Sequence, residues 1–364
     1  MRTHKYLLIV SLFLALGLSA QVPPAQTARL NRKAEAAEAL QAQHLPSISV
    51  AVFEAGKPLD AFALGFSDME VHTEATPESL YRIASISKPI TTVAVIELAR
   101  EGKLPLDASA QQYCKAFDHH PEVTARELLS HHSGVHHYKS TQAENNTVHY
   151  ATLNDAVKSF AADPLEFPAG KGFQYSSYAF TVLGCEIEGA TGERYADFVR
   201  EHVLLPAQMP HTIVDDAHRK IAGRVEFYSL RDSTLVRAAA LDTSDRLPGG
   251  GWLSTPTDMA RFASSVLSLL GEDWTRQMWT ETTVAGEPMR YGLGWGLTRI
   301  EGHPVAEHSG GQAGTTTALV YVPDADLAVA VFTNRDGADM MALAHKFVAE
   351  ILASQTVTSN SSRR

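Results

Sequence analysis

The chain has 364 residues, 45% hydrophobic, 8% aromatic and 20% charged, with a formal net charge of -10 and a pI near 5.9. This is globular composition with enough apolar mass for a large core, and the length suggests about two lobes. No run of Lys or Arg exceeds two residues, so neither nucleic acid nor an anionic membrane surface is an expected partner.

Arg2, His4 and Lys5 precede an apolar run over residues 7–18, and Ser19-Ala20-Gln21 follows it. A short basic region, a short apolar core and a small-residue site read as a secretory signal over residues 1–20. The run is too short to span a bilayer, and no cysteine follows it to take a lipid. The expectation is cleavage near Ala20 and an exported, periplasmic or extracellular protein without a stable membrane anchor.

Residues 26–43 are rich in Ala, Glu, Gln and Arg and predict an amphipathic helix. Residues 47–53 and 61–65 predict paired strands about a turn at Gly56-Lys57-Pro58. An amphipathic helix is expected over 85–100, ended by Gly102. Helices follow over 124–132, 153–161, 176–190 and 194–204. Residues 222–239 predict a hairpin, and Gly249-Gly250-Gly251 a turn before a helix over 256–270 capped by Thr255. Strands are expected over 291–300, 305–308, 315–322 and 327–332, then a helix over 338–353. The polar tail 354–364 is expected to be disordered.

Strands thus occupy both ends and helices the middle, and short turns between strands imply antiparallel pairing. The expected architecture is α/β of the α+β kind, in one catalytic unit over 21–353. An antiparallel sheet lobe (about 45–84 and 220–353) is flanked by terminal helices, with an all-helical lobe (about 104–215) inserted. Cys185 lies in an apolar helical pattern and reads as a buried thiol behaving as a small hydrophobe. A disulfide with Cys114, which export permits, is the less favoured alternative.

The chemistry begins at Ser85-Ile86-Ser87-Lys88-Pro89. Residues three apart share a helix face, so the Lys88 amine can lie beside the Ser85 hydroxyl. A neighbouring amine of lowered pKa can take the serine proton and make it a nucleophile. Pro89 suits a first helical turn. A serine at a helix start can also offer its N–H to an oxyanion. Chance supplies about one S-x-x-K in a chain this long, so the pair needs partners. Tyr175, in Gln174-Tyr175-Ser176-Ser177, could share a proton with Lys88, although a lone tyrosine also reads as a core-edge residue. Glu307-His308-Ser309-Gly310-Gly311 could form a strand edge that a substrate backbone approaches, or a plain glycine-rich turn.

Together the three segments resemble the signature elements of the serine β-lactamase and penicillin-binding-protein superfamily: S-x-x-K, a Tyr-x-Asn-type element and a Lys/His-Thr/Ser-Gly strand. The tyrosine resembles the class C branch. Residues 126–134, 249–255 and 291–296 fit that branch too, and Ser133-Gly134-Val135-His136-His137-Tyr138 is similar to the β-lactamase-like serine peptidases of animal mitochondria. The resemblance covers residues 45–353. It implies Ser85 as acylated nucleophile, Lys88 as its base and Tyr175 as general acid/base. It also implies an oxyanion hole from the N–H groups of Ser85 and Gly311. Substrate contacts are implied at Ser177, His308, Ser309 and Gly310. His308 stands in the lysine position and is expected to bring hydrogen bonding and a pH-dependent charge. Ser177 stands where asparagine is usual, which offers one hydroxyl in place of an amide and speaks against efficient β-lactam hydrolysis.

His119-His120, His131-His132 and His136-His137 invite a metal reading, but neighbouring helical residues do not face each other and no H-E-x-x-H or C-x-x-C frame is present. The glycine clusters are not a phosphate loop. No metal and no cofactor is expected. The expected function is an exported serine hydrolase, first a peptidase on amide bonds. An esterase or a weak β-lactamase or D,D-peptidase is the alternative, acting on a peptide, ester or β-lactam small substrate. A catalytically idle binding or assembly protein on the same fold is the alternative of another class. No motif speaks to oligomeric state.

Overall fold

A computed structural model describes residues 24–361; the expected signal segment and cleavage point lie outside them. Seven antiparallel strands form the main sheet in the spatial order Gly296–Ile300, His303–Gln312, Thr315–Val322, Leu327–Thr333, Ser47–Glu54, Lys57–Asp68, Thr73–Glu74. The two ends of the chain meet where Val50 pairs with Val331 at the sheet centre. Both faces of that centre are covered, so the strand Leu327–Thr333 is buried at every residue. Side chains alternate across a strand. Val329 and Val331 join Phe347 and Val348 of the terminal helix, whereas Ala328, Ala330 and Phe332 join Phe262 and Ala263 of the helix Pro256–Leu270. The terminal helices Pro24–Ala42 and Met340–Ser361 cover the first face. The helical segments between residues 87 and 204 extend the core on the second.

Several expectations needed correction. The 85–100 segment opens with a 3-10 turn at Ala84–Ile86, and the α-helix is Ser87–Arg100. It is a central helix, with every residue from Ser87 to Ile96 buried, rather than an amphipathic surface one. The strand expected from residue 291 begins at Gly296. Gly294 has φ +71°, and a Cβ there would lie 1.9 Å from the Thr92 hydroxyl, so the chain turns to pack on the central helix. Gly249 and Gly250 end a single helical turn, Leu247–Gly250. The last helix continues to Ser361, because propagation gains a hydrogen bond per residue once a helix is nucleated; most of the expected disordered tail is helical. Cys114 and Cys185 form a disulfide across 71 residues, both sulfurs lying in the core, so Cys185 is not the free thiol that its apolar surroundings suggested.

Candidate active site

Ser85 follows a backbone held on three sides. The Ile83 N–H donates to Trp252 O at 3.0 Å, and Thr317 Oγ1 donates to Ile83 O at 3.0 Å. Thr315 Oγ1 donates to Arg82 O at 2.9 Å, and Arg82 pairs with buried Asp215 at 2.6 Å. Ala84 takes φ +47°, a conformation unfavourable by about 1–2 kcal/mol for a residue with a Cβ. Such strain persists only where its surroundings over-determine it, and here it presents Ser85 at the start of the central helix.

One turn on, Lys88 is fully buried. Its Nζ lies 3.2 Å from Ser85 Oγ, 3.2 Å from Ser177 Oγ and 2.9 Å from Gly249 O. Among the described residues no carboxylate pairs with it. Burial, and then the nearby Arg246 guanidinium, hold the amine well below the ordinary lysine range. An uncharged amine has two N–H donors and one lone pair. Gly249 O can only accept, so one N–H is spent there. The other can go to Ser177, which leaves the lone pair for the Ser85 O–H.

Tyr175 lies just before the helix Ser177–Thr191. Ser176 caps that helix by accepting from the Ala179 N–H at 3.1 Å, and donates to His136 O at 2.8 Å. The cap stops the chain with Tyr175 beside Ser85. Burial raises the Tyr175 phenol above its ordinary value, against the smaller opposing pull of Ser85, so the hydroxyl keeps its proton. Its ring centre lies 4.8 Å from Lys88 Nζ.

Across the cleft runs the strand His303–Gln312. Its neighbour Gly296–Ile300 pairs only as far as Glu307, so the stretch from His308 to Gln312 has one edge without a partner strand. A Cβ at Gly310 would meet Ile83 O at 2.4 Å and Thr317 Oγ1 at 2.3 Å. The missing side chain is what lets the strand close on the nucleophile turn. A Cβ at Gly311 would enter open space, and Ser309 is exposed. His308 corrects an expectation. Its Nδ1–H donates to Ser309 O at 2.7 Å, so Nε2 accepts from the Tyr291 hydroxyl at 3.1 Å. Burial foremost pushes the ring down to about 3. His308 is therefore neutral at physiological pH and carries no pH-dependent charge there.

The structure thus brings Ser85, Lys88, Tyr175, Ser177 and the 308–311 strand to one cleft. It adds residues to which the sequence assigned no role in this cleft. The imidazole Nδ1 atoms of His131 and His137 accept the N–H groups of Ser176 and Ser177, each at 3.2 Å. Tyr138 lies beside Ser177 and beneath the Arg246 guanidinium, 4.2 Å from its ring centre. His131, at φ +61°, packs between Tyr175 and Tyr291 with ring centres 4.4 and 5.0 Å away. These residues sat inside the stretches that carried the resemblance, but nothing local in them signals convergence. The members of each histidine doublet in this lobe turn to different partners: His132 bonds Thr282, and His136 bonds Asp163.

The beta-lactamase family model matches residues 33–353. The human mitochondrial serine beta-lactamase-like protein LACTB is 26% identical over 77% of this chain and 69% of its own. Penicillin-binding protein 4* of Bacillus subtilis is 27% identical over 82% and 70%. Among solved structures, the octameric penicillin-binding-protein homologue of Pyrococcus abyssi superposes with a TM-score of 0.78 at 24% identity, over 89% of this chain and 77% of that one. The match over nearly the whole described chain, with a serine, a buried lysine and a tyrosine meeting beneath a free strand edge, establishes that the chain belongs to the beta-lactamase family of serine hydrolases.

Proposed function

We propose that the protein is an exported serine hydrolase that cleaves amide bonds, as a peptidase, through an acyl-enzyme on Ser85. The observation that carries the reading is Lys88: buried, without a carboxylate partner among the described residues, held well below the ordinary lysine range, and 3.2 Å from Ser85 Oγ. As substrate binds, Ser85 Oγ attacks the carbonyl carbon and its proton passes to Lys88 Nζ, which becomes ammonium. The oxyanion forms beside the N–H groups of Ser85 and Gly311. Tyr175, which retains its proton, is the acid for the leaving nitrogen, and the Lys88 ammonium restores that proton. The C–N bond breaks and an ester remains on Ser85. Water then attacks the ester and gives its proton to Lys88; the acyl C–O bond breaks, the Lys88 ammonium returns the proton to Ser85 Oγ, and the acid product leaves.

Ser177 is spent on Lys88, and His308 on Tyr291 and Ser309 O. Neither offers a cation or an amide to a β-lactam carboxylate, so β-lactam turnover is expected to be weak. The same neutral strand favours esterase activity as the second reading.

A fluorophosphonate probe followed by peptide mass spectrometry tests the enzyme reading. The expected adduct is on Ser85, lost in Ser85→Ala. A native chain that takes no label would leave only a binding protein on this fold. A panel of peptides, short esters and a chromogenic β-lactam then separates the activities: ready ester cleavage without peptide turnover would overturn the peptidase reading. Mass measurement of the exported chain should find Gln21 at the N-terminus.

A further inference from the structure

Outside the catalytic cleft, three residues distant in sequence converge: His149, His218 and Asp242. One donor atom from each lies within 4.8 Å of the other two. Asp242 Oδ2 faces His149 Nδ1 at 3.0 Å and His218 Nε2 at 3.1 Å. We propose that this trio is a zinc site, with two imidazoles and one carboxylate as protein ligands and a fourth position open to water.

The donor set fits the metal. Zinc takes imidazole nitrogen and carboxylate oxygen at about 2.0–2.2 Å, which places neighbouring ligand atoms of a tetrahedron about 3.3 Å apart. The observed separations from Asp242 Oδ2 need to open by only a few tenths of an ångström. A ligating carboxylate must be ionised and oriented. Asp242 is buried, and Ser244 bonds it from the side away from the two rings. Its Oδ1 accepts the Ser244 N–H at 2.9 Å, which turns Oδ2 toward the two rings.

The frame around the trio is set without a metal. The Asp242 N–H donates to Asn146 O at 2.8 Å, and the Tyr150 N–H donates to Ser244 Oγ at 2.8 Å; together they tie the His149 loop to the Asp242 segment. The His218 N–H donates to Asp216 Oδ1 at 2.8 Å, fixing its turn. His149 and Asp242 line a cavity of about 480 Å³ that Glu188 and Asp216 also line, which leaves room for a small ligand at the open position. The two imidazoles are more than half exposed, so an ion can enter. None of the consecutive histidine pairs in the sequence contributes to the trio.

Seven residues beyond Asp242, Gly249 O accepts the Lys88 amine. A zinc ion would thus pin the loop carrying His149, the turn carrying His218 and the segment that leads to the catalytic lysine. Its role is structural, because Ser85 and Lys88 need no metal for the chemistry above.

The test uses the tag-free full chain, stripped with a chelator and titrated with zinc chloride by calorimetry. One zinc per chain is expected at about micromolar affinity or tighter. His149→Ala and His218→Ala should each weaken it by about tenfold or more, while His119→Ala leaves it unchanged. Cobalt substitution should give the visible absorption of a tetrahedral site in the native chain and not in the double variant. Fluorophosphonate labelling of Ser85 should survive chelation. Circular dichroism checks that the exposed histidine variants fold. The absence of saturable binding at about 100 µM zinc, or binding that the double variant keeps, would overturn the proposal.

Discussion

The strand wall of the cleft is shaped by backbone, whereas the helical wall is shaped by side chains. On the strand side, pairing from His308 to Gln312 sets the position, and Gly310 approaches Ile83 because it has no side chain. On the helical side, Tyr175 is placed by the Ser176 cap and by two imidazoles that accept the Ser176 and Ser177 N–H groups. The Cys114–Cys185 disulfide fastens the helix behind them. Lys88 stands between the two walls. A backbone-built wall should fail when bulk is added, and a side-chain-built wall when a polar atom is removed.

The largest effect is expected at the residue both walls enclose. Lys88→Met should lower hydrolysis by about 10⁴-fold. It should also raise stability at neutral pH. Because the folded amine sits below the unfolded value of about 10.4, the unfolded chain binds a proton that the folded chain refuses. Native stability should therefore rise as pH climbs toward about 10, and the advantage of Lys88→Met should shrink over the same interval. Chemical denaturation at several pH values measures both.

On the helical wall, Tyr175→Phe should cost about 10²-fold in kcat. If Tyr175 is the acid for the leaving group, an activated ester should lose less than an amide. Equal losses for both would make the tyrosine a positioning residue instead. On the strand wall, Gly310→Ala should cost about tenfold, through displacement of the strand from Ser85. Unchanged turnover would show that the strand has more freedom than its contacts with Ile83 and Thr317 allow.

The smallest effect on activity is expected from the disulfide. Cys114→Ala with Cys185→Ala should lower stability by about 4 kcal/mol, the scale for a closed loop of this length. Labelling of Ser85 at low temperature should persist.

Ser85 and Lys88 were legible as a pair because one helical turn brings them together. The covered sheet was legible because strands stand at both ends of the chain, each next to a terminal helix. What escaped the sequence depended on long-range meetings. His131, Tyr138 and Tyr291 acquire roles only when separate loops close over Ser177 and His308. The neutrality of His308 follows from burial, which a glycine-rich segment does not announce. Cys185 sits in an apolar helix whether free or paired, so its surroundings could not reveal the bond to Cys114.

The central claim is that Lys88 is the uncharged base for Ser85. The most direct measurement is the second-order rate of Ser85 labelling by a fluorophosphonate as a function of pH. An uncharged Lys88 predicts a plateau already reached well below the ordinary lysine value of about 10.4. A rate that still climbs about tenfold per pH unit up to about pH 10 would mean that Lys88 is an ordinary ammonium in the resting site, and would contradict the account.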